Sequence, residues 1–350
     1  MGTADKIKAI EEEMARTQYN KATQKHIGLL KAQLARLKEA QEGAGGGGAG
    51  LGYGVKKTGD ATVVFVGFPS VGKSTLLNAL TNATSRVAAY DFTTLVVVPG
   101  VMSYRGAKLQ LLDVPGLIEA AAAGKGRGKE VLSVVRSADL ILLIVAGERA
   151  PDQQRILQGE LQQAGFRLNL RPPDVRILRS SMGGIHLHLP RGFALSQETV
   201  KEVLKEFRIL NAEVVIRQPL SLDQLIDCLS ANRKYVPCIT VVNKADQPAP
   251  PVPGALRISA LQKEGLDALR EAIWKGLGLA RIYLKEPGKA PSPDPYILKG
   301  KAAVRDVAQR FGFLKTFAFA KIWGPSARFP GQKVGLEHAM RDGDTVEIHA

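Results

Sequence analysis

The residues at 67–74 have the types and the spacing of a phosphate-binding loop. They match the pattern Gly-x-x-x-x-Gly-Lys-Ser/Thr at every position, after an apolar, β-branched segment at 61–66 and before a segment at 75–80 that suits a helix. In that context, glycines let backbone N–H groups converge on phosphate oxygens at a helix N-terminus. The residues predicted to contact phosphate are Gly67, Phe68, Pro69, Ser70, Val71, Gly72, Lys73, Ser74 and Thr75.

Two of these side chains carry specific chemistry. Lys73 can reach the outer phosphates of a nucleoside triphosphate and stabilise the charge of the group that is transferred. The Ser74 hydroxyl can be a ligand of Mg²⁺. Because every nucleoside triphosphate carries the same phosphates, the loop by itself does not select the base.

A second motif favours guanine. Asn243, Lys244 and Asp246 follow an apolar strand at 238–242. The Asp246 carboxylate can accept two N–H hydrogen bonds from the guanine edge, whereas adenine lacks that donor pair and would leave buried acceptors unpaired. Asn243 would join this loop to the phosphate loop, and the stem of Lys244 would pack on the base. Alone these residues also fit a surface turn, but after a phosphate loop and at a strand end they favour a base site.

The next predicted strand end contributes to the same base site. It lies at 257–261 and contains Ser259, Ala260 and Leu261. The backbone N–H of Ala260 would donate a hydrogen bond to the guanine carbonyl.

An aspartate motif is predicted to hold the metal and to sense the third phosphate. It follows a strand at 108–112. Asp113 would hold Mg²⁺ through water, and the N–H of Gly116 would sense the γ-phosphate. The nucleotide contacts predicted in this motif are Asp113, Val114, Pro115 and Gly116.

A threonine upstream is the third predicted metal ligand, beside Ser74 and Asp113. Thr94 lies 20 positions beyond Ser74 (94 − 74), a suitable distance for a loop that closes over Mg²⁺. We favour Thr94 over Thr93, and an alternative is a Ser/Thr-rich loop without a ligand role. Phe92, Thr93 and Thr94 are predicted nucleotide contacts, and the predicted catalytic residues are Lys73, Thr94 and Gly116.

In this order the motifs resemble the Obg branch of the translation-factor-related GTPases, and within it the developmentally regulated GTP-binding (DRG) proteins. The resemblance covers nearly the whole chain. It implies a P-loop GTPase that binds GTP or GDP with Mg²⁺, carries a C-terminal TGS domain and contacts ribosomes or RNA. The glycine run at 43–54 is too short to be the glycine-rich N-terminal domain of Obg itself. The segments that carry the resemblance are 67–75, 90–95, 113–116, 124–128, 235–238 and 318–348.

One departure bears on catalysis. Many GTPases place a glutamine directly after this aspartate motif to orient the attacking water, and here that position is Leu117. We therefore expect slow basal hydrolysis, with activation by a protein partner, a monovalent cation or a backbone group. Some relatives use an asparagine in the phosphate loop to hold K⁺; this chain has Ser70 there, which weakens the case for K⁺ and leaves it open.

Composition favours a polyanionic partner. The chain has 350 residues, a formal net charge of +15 and a sequence pI near 9.8. Nucleic acid or the ribosome fits that charge better than a membrane does. The N-terminal segment is charged, unlike a secretory signal, and no apolar run approaches the ~20 residues that span a bilayer. We expect a cytoplasmic protein whose two cysteines, Cys228 and Cys238, stay reduced.

The alternation of strands and helices predicts a mostly parallel, doubly wound α/β sheet with ligands at the carboxyl ends of its strands. An N-terminal helical region and glycine-rich linker is expected at 1–50, and the GTPase domain at 58–280. A small α/β insert at 168–234 interrupts that domain. A β-grasp TGS domain follows at 284–350.

Three functions compete. The first is a GTP-hydrolysing switch that acts on ribosomes or RNA in translation. The second is a nucleotide-gated RNA- or ribosome-binding scaffold with incidental hydrolysis, which Leu117 keeps open. The third is an ATPase, as in a relative that also carries a TGS domain. That relative departs from the Asn-Lys-x-Asp motif, whereas Asn243 to Asp246 retain it.

Overall fold

The structure is a computed structural model that describes residues 2–18, 23–43, 57–81, 97–114, 127–300 and 302–350. In these ranges the helices are α1 (Thr3–Arg16), α2 (Gln24–Gly43), α3 (Lys73–Leu80), α4 (Arg127–Arg136), α5 (Ala150–Gln163), α6 (Gln197–Glu206), α7 (Leu222–Leu229), α8 (Leu266–Leu277) and α9 (Val304–Arg310).

The strands in the same ranges are β1 (Ala61–Gly67), β2 (Val98–Tyr104), β3 (Ala107–Asp113), β4 (Leu140–Ala146), β5 (Phe166–Leu168), β6 (Val175–Arg179), β7 (Ile185–His188), β8 (Ala212–Ile216), β9 (Lys234–Val236), β10 (Cys238–Asn243), β11 (Leu256–Arg257), β12 (Leu279–Leu284), β13 (Tyr296–Lys299), β14 (Phe319–Trp323), β15 (Gln332–Val334) and β16 (Asp344–His349).

A six-stranded sheet in the order β11-β10-β4-β1-β3-β2 forms the centre of the nucleotide-binding domain. The pairings are parallel except for β2 with β3. Every residue of β1 is buried, as expected of a parallel strand that is covered on both faces. Leucines of α3 and α8 pack on the sheet in one core cluster. The predicted mostly parallel sheet is confirmed.

The edge strand β2 was not predicted. Its sequence contains Pro99 and Gly100, which weaken a strand prediction. Proline is tolerated there because an edge strand need not donate every N–H to a neighbour. Glycine is required because a Cβ at position 100 would lie 2.6 Å from Thr81 Cγ2.

The C-terminal residues form a five-stranded mixed sheet in the order β13-β12-β16-β14-β15, with α9 packed on one face. Its core includes Ala280, Ile282, Ala320, Ile322 and Val346. In the described residues of this segment, the five strands and α9 give the predicted β-grasp domain. The sheet includes β12, which begins at Leu279, five residues before the predicted start of this domain at 284.

By its internal contacts the chain divides into two compact units. One comprises the described residues within 53–164 and 236–350, which contain both sheets above. The other comprises the described residues within 1–52 and 165–235. In the second unit, α2 packs against α6 and α7, beside a three-stranded sheet in the order β6-β8-β7.

Helix α7 was missed from the sequence although it carries a start signal. The Ser221 hydroxyl accepts a hydrogen bond from the Gln224 N–H, and the Gln224 side chain accepts one from the Ser221 N–H. This reciprocal capping box is readable as a serine followed three residues later by glutamine. The N-terminal helical region contains two helices, since α1 ends at Arg16 and α2 begins at Gln24.

In the described ranges, no helix is long and apolar enough to cross a membrane.

Candidate nucleotide-binding site

The phosphate loop joins the end of β1 to the start of α3. Two of its residues have left-handed backbone conformations, Ser70 at φ 59° and Gly72 at φ 89°. A Cβ at Gly67 would lie 2.5 Å from the Ile144 carbonyl oxygen, so only glycine lets β1 pass β4 at this point. The tight turn leads directly into the N-terminus of α3, and the N-terminus of a helix binds anions.

The Lys73 ammonium lies at the centre of this loop. Its Nζ donates to the carbonyl oxygens of Gly67 at 3.1 Å and Phe68 at 2.9 Å. Phe68 also packs on the core of the sheet, whereas Pro69 and Thr75 are exposed. The loop therefore holds a cation beside the N-terminus of a helix, and both features attract phosphate.

Two of the three predicted metal ligands lie side by side. The Ser74 hydroxyl donates to Asp113 Oδ2 at 2.6 Å. Burial raises the pKa of the Asp113 carboxyl, while the Ser74 hydrogen bond and the Lys73 charge act in the opposite direction. A partly desolvated carboxylate beside a hydroxyl gains from a divalent cation, which would neutralise its charge.

Replacing Asp113 with asparagine is expected to stabilise the nucleotide-free protein at pH 7. A carboxyl whose pKa is raised on folding contributes stability below its unfolded pKa and loses that contribution as the pH rises through its folded pKa. A neutral amide avoids this loss and can still accept from Ser74. The advantage of the variant should therefore be present at pH 7 and shrink towards pH 4.

Urea unfolding in EDTA at both pH values measures this difference. Asp267→Asn is the control, because the Asp267 side chain is 97% exposed and lies outside the site. A variant at Asp113 that is less stable than the wild type at pH 7 would contradict the desolvation argument.

Asn243 joins three loops of the site. It is 2% exposed, and its Nδ2 donates to the Val71 carbonyl oxygen of the phosphate loop at 2.8 Å. Its Oδ1 accepts from the Ala260 N–H at 3.0 Å. Sequence reasoning predicted the first contact. In the structure the Ala260 N–H is held by Asn243, so its contact with guanine stays a prediction.

The Asp246 carboxylate is held at the surface by Ser259. The buried Ser259 hydroxyl donates to Asp246 Oδ1 at 2.8 Å and accepts from the Gln262 N–H at 3.2 Å. Lys244 is half-buried with φ 61°, and Leu261 is 79% exposed. An exposed carboxylate oriented by a buried hydroxyl can receive a base edge without rearrangement.

The motif residues Phe92, Thr93, Thr94, Pro115 and Gly116 lie outside the described residues, as does Leu117. Val114 is described and is 2% exposed. The structure thus brings together the phosphate loop, Asp113, the guanine motif and the segment at 259–261.

In the described part of the chain, no group of three or more His, Cys, Asp and Glu side chains is placed to hold a metal ion. The strand histidines His186 and His188 contact the Gly183 carbonyl oxygen and Glu213, respectively. The two predicted ligands that the structure describes, Ser74 and Asp113, fit Mg²⁺, which commonly takes further ligands from phosphate and water.

A phosphate loop at the end of the central strand, with an Asn-Lys-x-Asp loop beside it, defines a P-loop GTPase. Family models agree: residues 62–172 match the 50S ribosome-binding GTPase model, 182–279 match the C-terminal region of the same domain, and 280–350 match the TGS domain.

Full-length relatives name the family. The chain is 49% identical over 364 residues to an uncharacterized GTP-binding protein of Methanocaldococcus jannaschii, covering 99% of this chain and 93% of that protein. It is 45% identical over 362 residues to developmentally-regulated GTP-binding protein 1 of Xenopus laevis, covering 99% of both chains. The chain belongs to the DRG family of GTP-binding proteins.

Among solved structures, the chain is similar to the G domain of the T. maritima FeoB iron transporter, at 18% identity and a TM-score of 0.33. That match covers 61% of this chain and 97% of the other.

Proposed function

We propose that this protein is a GTP-hydrolysing switch that acts on ribosomes or RNA during translation, in the cytoplasm. The observation that carries the nucleotide part is Asn243, which ties the guanine motif to the phosphate loop through two hydrogen bonds. The connection makes occupancy of the base site and of the phosphate site interdependent. The polyanionic partner is argued from charge, since the chain carries a net +15.

Each site residue has a proposed role. Lys73 exchanges the carbonyl oxygens of Gly67 and Phe68 for oxygens of the β- and γ-phosphates. Ser74, Asp113 and Thr94 would hold Mg²⁺, which when bound would neutralise phosphate charge. The Gly116 N–H contacts the γ-phosphate.

The base is recognised by Asp246, which accepts from guanine, while Ser259 orients it. Lys244 covers the base with its aliphatic stem. An ATPase is disfavoured because adenine would leave the Asp246 carboxylate without the donor pair it is placed to bind.

Hydrolysis is proposed to be slow without an activator. Leu117 cannot orient water by hydrogen bonding, so the attacking water must be placed by another group. A protein activator or K⁺ would supply that group. The scaffold alternative predicts instead a turnover rate that ribosomes do not change, and multiple-turnover assays with and without ribosomes separate the two functions.

Binding to ribosomes is expected to depend steeply on salt. From Arg281 to the C-terminus the chain has 12 basic and 7 acidic residues, an excess of 5 (12 − 7). If about three phosphates are contacted, affinity should fall roughly 40-fold between 50 and 200 mM salt, because each contact releases a counterion. Co-sedimentation with purified ribosomes in GTP or GDP measures this. Pelleting that is indifferent to both salt and nucleotide would contradict the proposal.

A further inference from the structure

The solvent face of the C-terminal sheet combines aromatic rings with lysines. Side chains alternate between the two faces of a strand. In β14, Ala320 and Ile322 enter the core, so Phe319, Lys321 and Trp323 lie on the opposite face. The neighbouring strands and the segment after β12 add cationic groups to that face. We call it the aromatic–lysine face; its members are Lys285, Phe319, Lys321, Trp323, Lys333 and His349.

Each ring on this face has a close partner. The Phe319 ring stacks on His349 with centroids 4.3 Å apart and planes 14° apart, and Lys333 Nζ lies 4.4 Å from the Phe319 centroid. Lys285 Nζ lies 4.4 Å from the centroid of Trp323. Each of the two half-buried rings thus has an ammonium group beside it.

An acidic side chain that contacts three of these residues, Glu347, is already neutralised. Glu347 has a side chain only 4% exposed, and it pairs with Lys285, with His349 at 2.7 Å and with Lys321 at 3.6 Å. The Lys285 hydrogen bond lowers the pKa of Glu347, so the carboxylate is ionised, and its charge is engaged by these pairs. With three lysines against one carboxylate, this face presents net positive charge to solvent.

Rings beside ammonium groups match the chemistry of an unpaired nucleotide strand. Its bases stack on aromatic side chains, and its phosphates bind the neighbouring lysines. Stacking of a base on an aromatic ring is stronger than an exposed cation–π contact between a lysine and that ring. Bases can therefore displace the lysines from the rings, and the displaced ammonium groups can bind the phosphates. Duplex RNA fits this face less well, because its base faces are already stacked inside the helix. An acidic peptide also fits less well, because it can supply negative charge without any ring to stack on Phe319 and Trp323.

We propose that the aromatic–lysine face binds single-stranded RNA, with Trp323 and Phe319 stacking on unpaired bases and Lys285, Lys321 and Lys333 contacting phosphates. The inference rests on the proposed function, because it assigns the RNA contact to one surface of the TGS domain. It adds a preference for unpaired over duplex RNA, which net charge alone does not give.

The full chain is titrated into fluorescein-labelled RNA and followed by anisotropy, with a 12-nucleotide single strand and a hairpin duplex of matched sequence. Trp323→Ala should weaken single-strand binding by about ten-fold, the effect of one lost stack. Trp323→Phe should retain most of the affinity. Phe313→Ala is the control, since Phe313 is 42% exposed beside α9 and is not one of the six residues of this face.

A second pair of variants changes exposed lysines, whose replacement should not disturb folding. Lys333→Gln changes an exposed side chain and should reduce the slope of affinity against salt by roughly 0.7, the share of one phosphate contact on a single strand. Lys315→Gln, an exposed lysine near Phe313, should leave the slope unchanged. RNA should also quench tryptophan fluorescence in the wild type but not in Trp323→Phe, because the other tryptophan, Trp274, is buried.

Equal binding of single strand and duplex, with wild-type affinity in Trp323→Ala, would overturn the inference. So would displacement of the RNA by a poly-glutamate peptide at equal charge concentration, which would show that charge alone is recognised. Ribosome co-sedimentation separates the two proposals. If the wild type and Trp323→Ala pellet equally with ribosomes, the aromatic–lysine face is not the ribosomal RNA contact, and the proposed ribosomal function is retained. If the wild type binds single-stranded RNA through Trp323 but does not pellet with ribosomes, the ribosomal function is contradicted and RNA binding by this face is retained.

Discussion

Asp246→Asn is expected to lower the affinity for GTP by about 2–4 kcal/mol, roughly 30- to 1,000-fold in Kd, and to create affinity for XTP. The change replaces an acceptor of two charge-assisted hydrogen bonds with an amide that presents a donor. Xanthine offers the complementary acceptor. The substitution is nearly isosteric, and the amide oxygen can still accept from Ser259 as the carboxylate does at 2.8 Å. The loop should therefore keep its conformation.

Isothermal calorimetry with GTP, GDP and XTP measures the switch. Asp267→Asn has the same chemistry at a 97% exposed side chain and should bind all three nucleotides as the wild type does. If Asp246→Asn retains wild-type affinity for GTP, Asp246 does not contact the base.

Gly72→Ala is expected to destabilise the nucleotide site by about 2–6 kcal/mol and to abolish measurable GTP binding. Two effects add. Gly72 has φ 89°, and an L-residue held in this region costs about 1–3 kcal/mol. Its Cβ would also lie 2.4 Å from Asn243 Nδ2, and displacing that group breaks a buried hydrogen bond that contributes about 1–3 kcal/mol.

Gly192→Ala separates these two effects. Gly192 has a similar φ of 73°, but a Cβ there would meet no atom within 4 Å. This control carries the backbone strain alone and should keep wild-type affinity for GTP. Urea unfolding and GTP calorimetry are measured on both variants. If Gly72→Ala binds GTP as the wild type does, the link between Gly72 and Asn243 has no role in the site.

The fold was predictable where a strand is largely apolar. The predicted segments at 61–66, 108–112 and 238–242 fall within β1, β3 and β10 of the structure. Such segments are largely apolar because both faces of a parallel strand are buried. The edge strand β2 was missed because an edge tolerates the proline and glycine that a central strand excludes. Helix α7 was missed although its capping box was present in the sequence.

The sequence by itself was enough to predict the chemistry of the nucleotide site, because each motif is a short stretch whose residue types have one dominant use at a strand end. Lys73, Ser74, Asp113 and Asp246 were predicted as site residues in this way, and the parallel sheet follows from the strands that precede them. Order along the chain is enough for this, since the carboxyl ends of parallel strands meet at one edge.

Only the tertiary structure decided how those residues hold one another. Ser259 orients Asp246, and Asn243 takes the Ala260 N–H, through contacts between residues 13 and 17 positions apart. The aromatic–lysine face likewise joins β14 to β15 and β16, and its charge balance depends on a glutamate that local sequence shows only as acidic. Hydrogen-bond partners and strand register are set by packing between distant segments, and no local pattern of residue types encodes them.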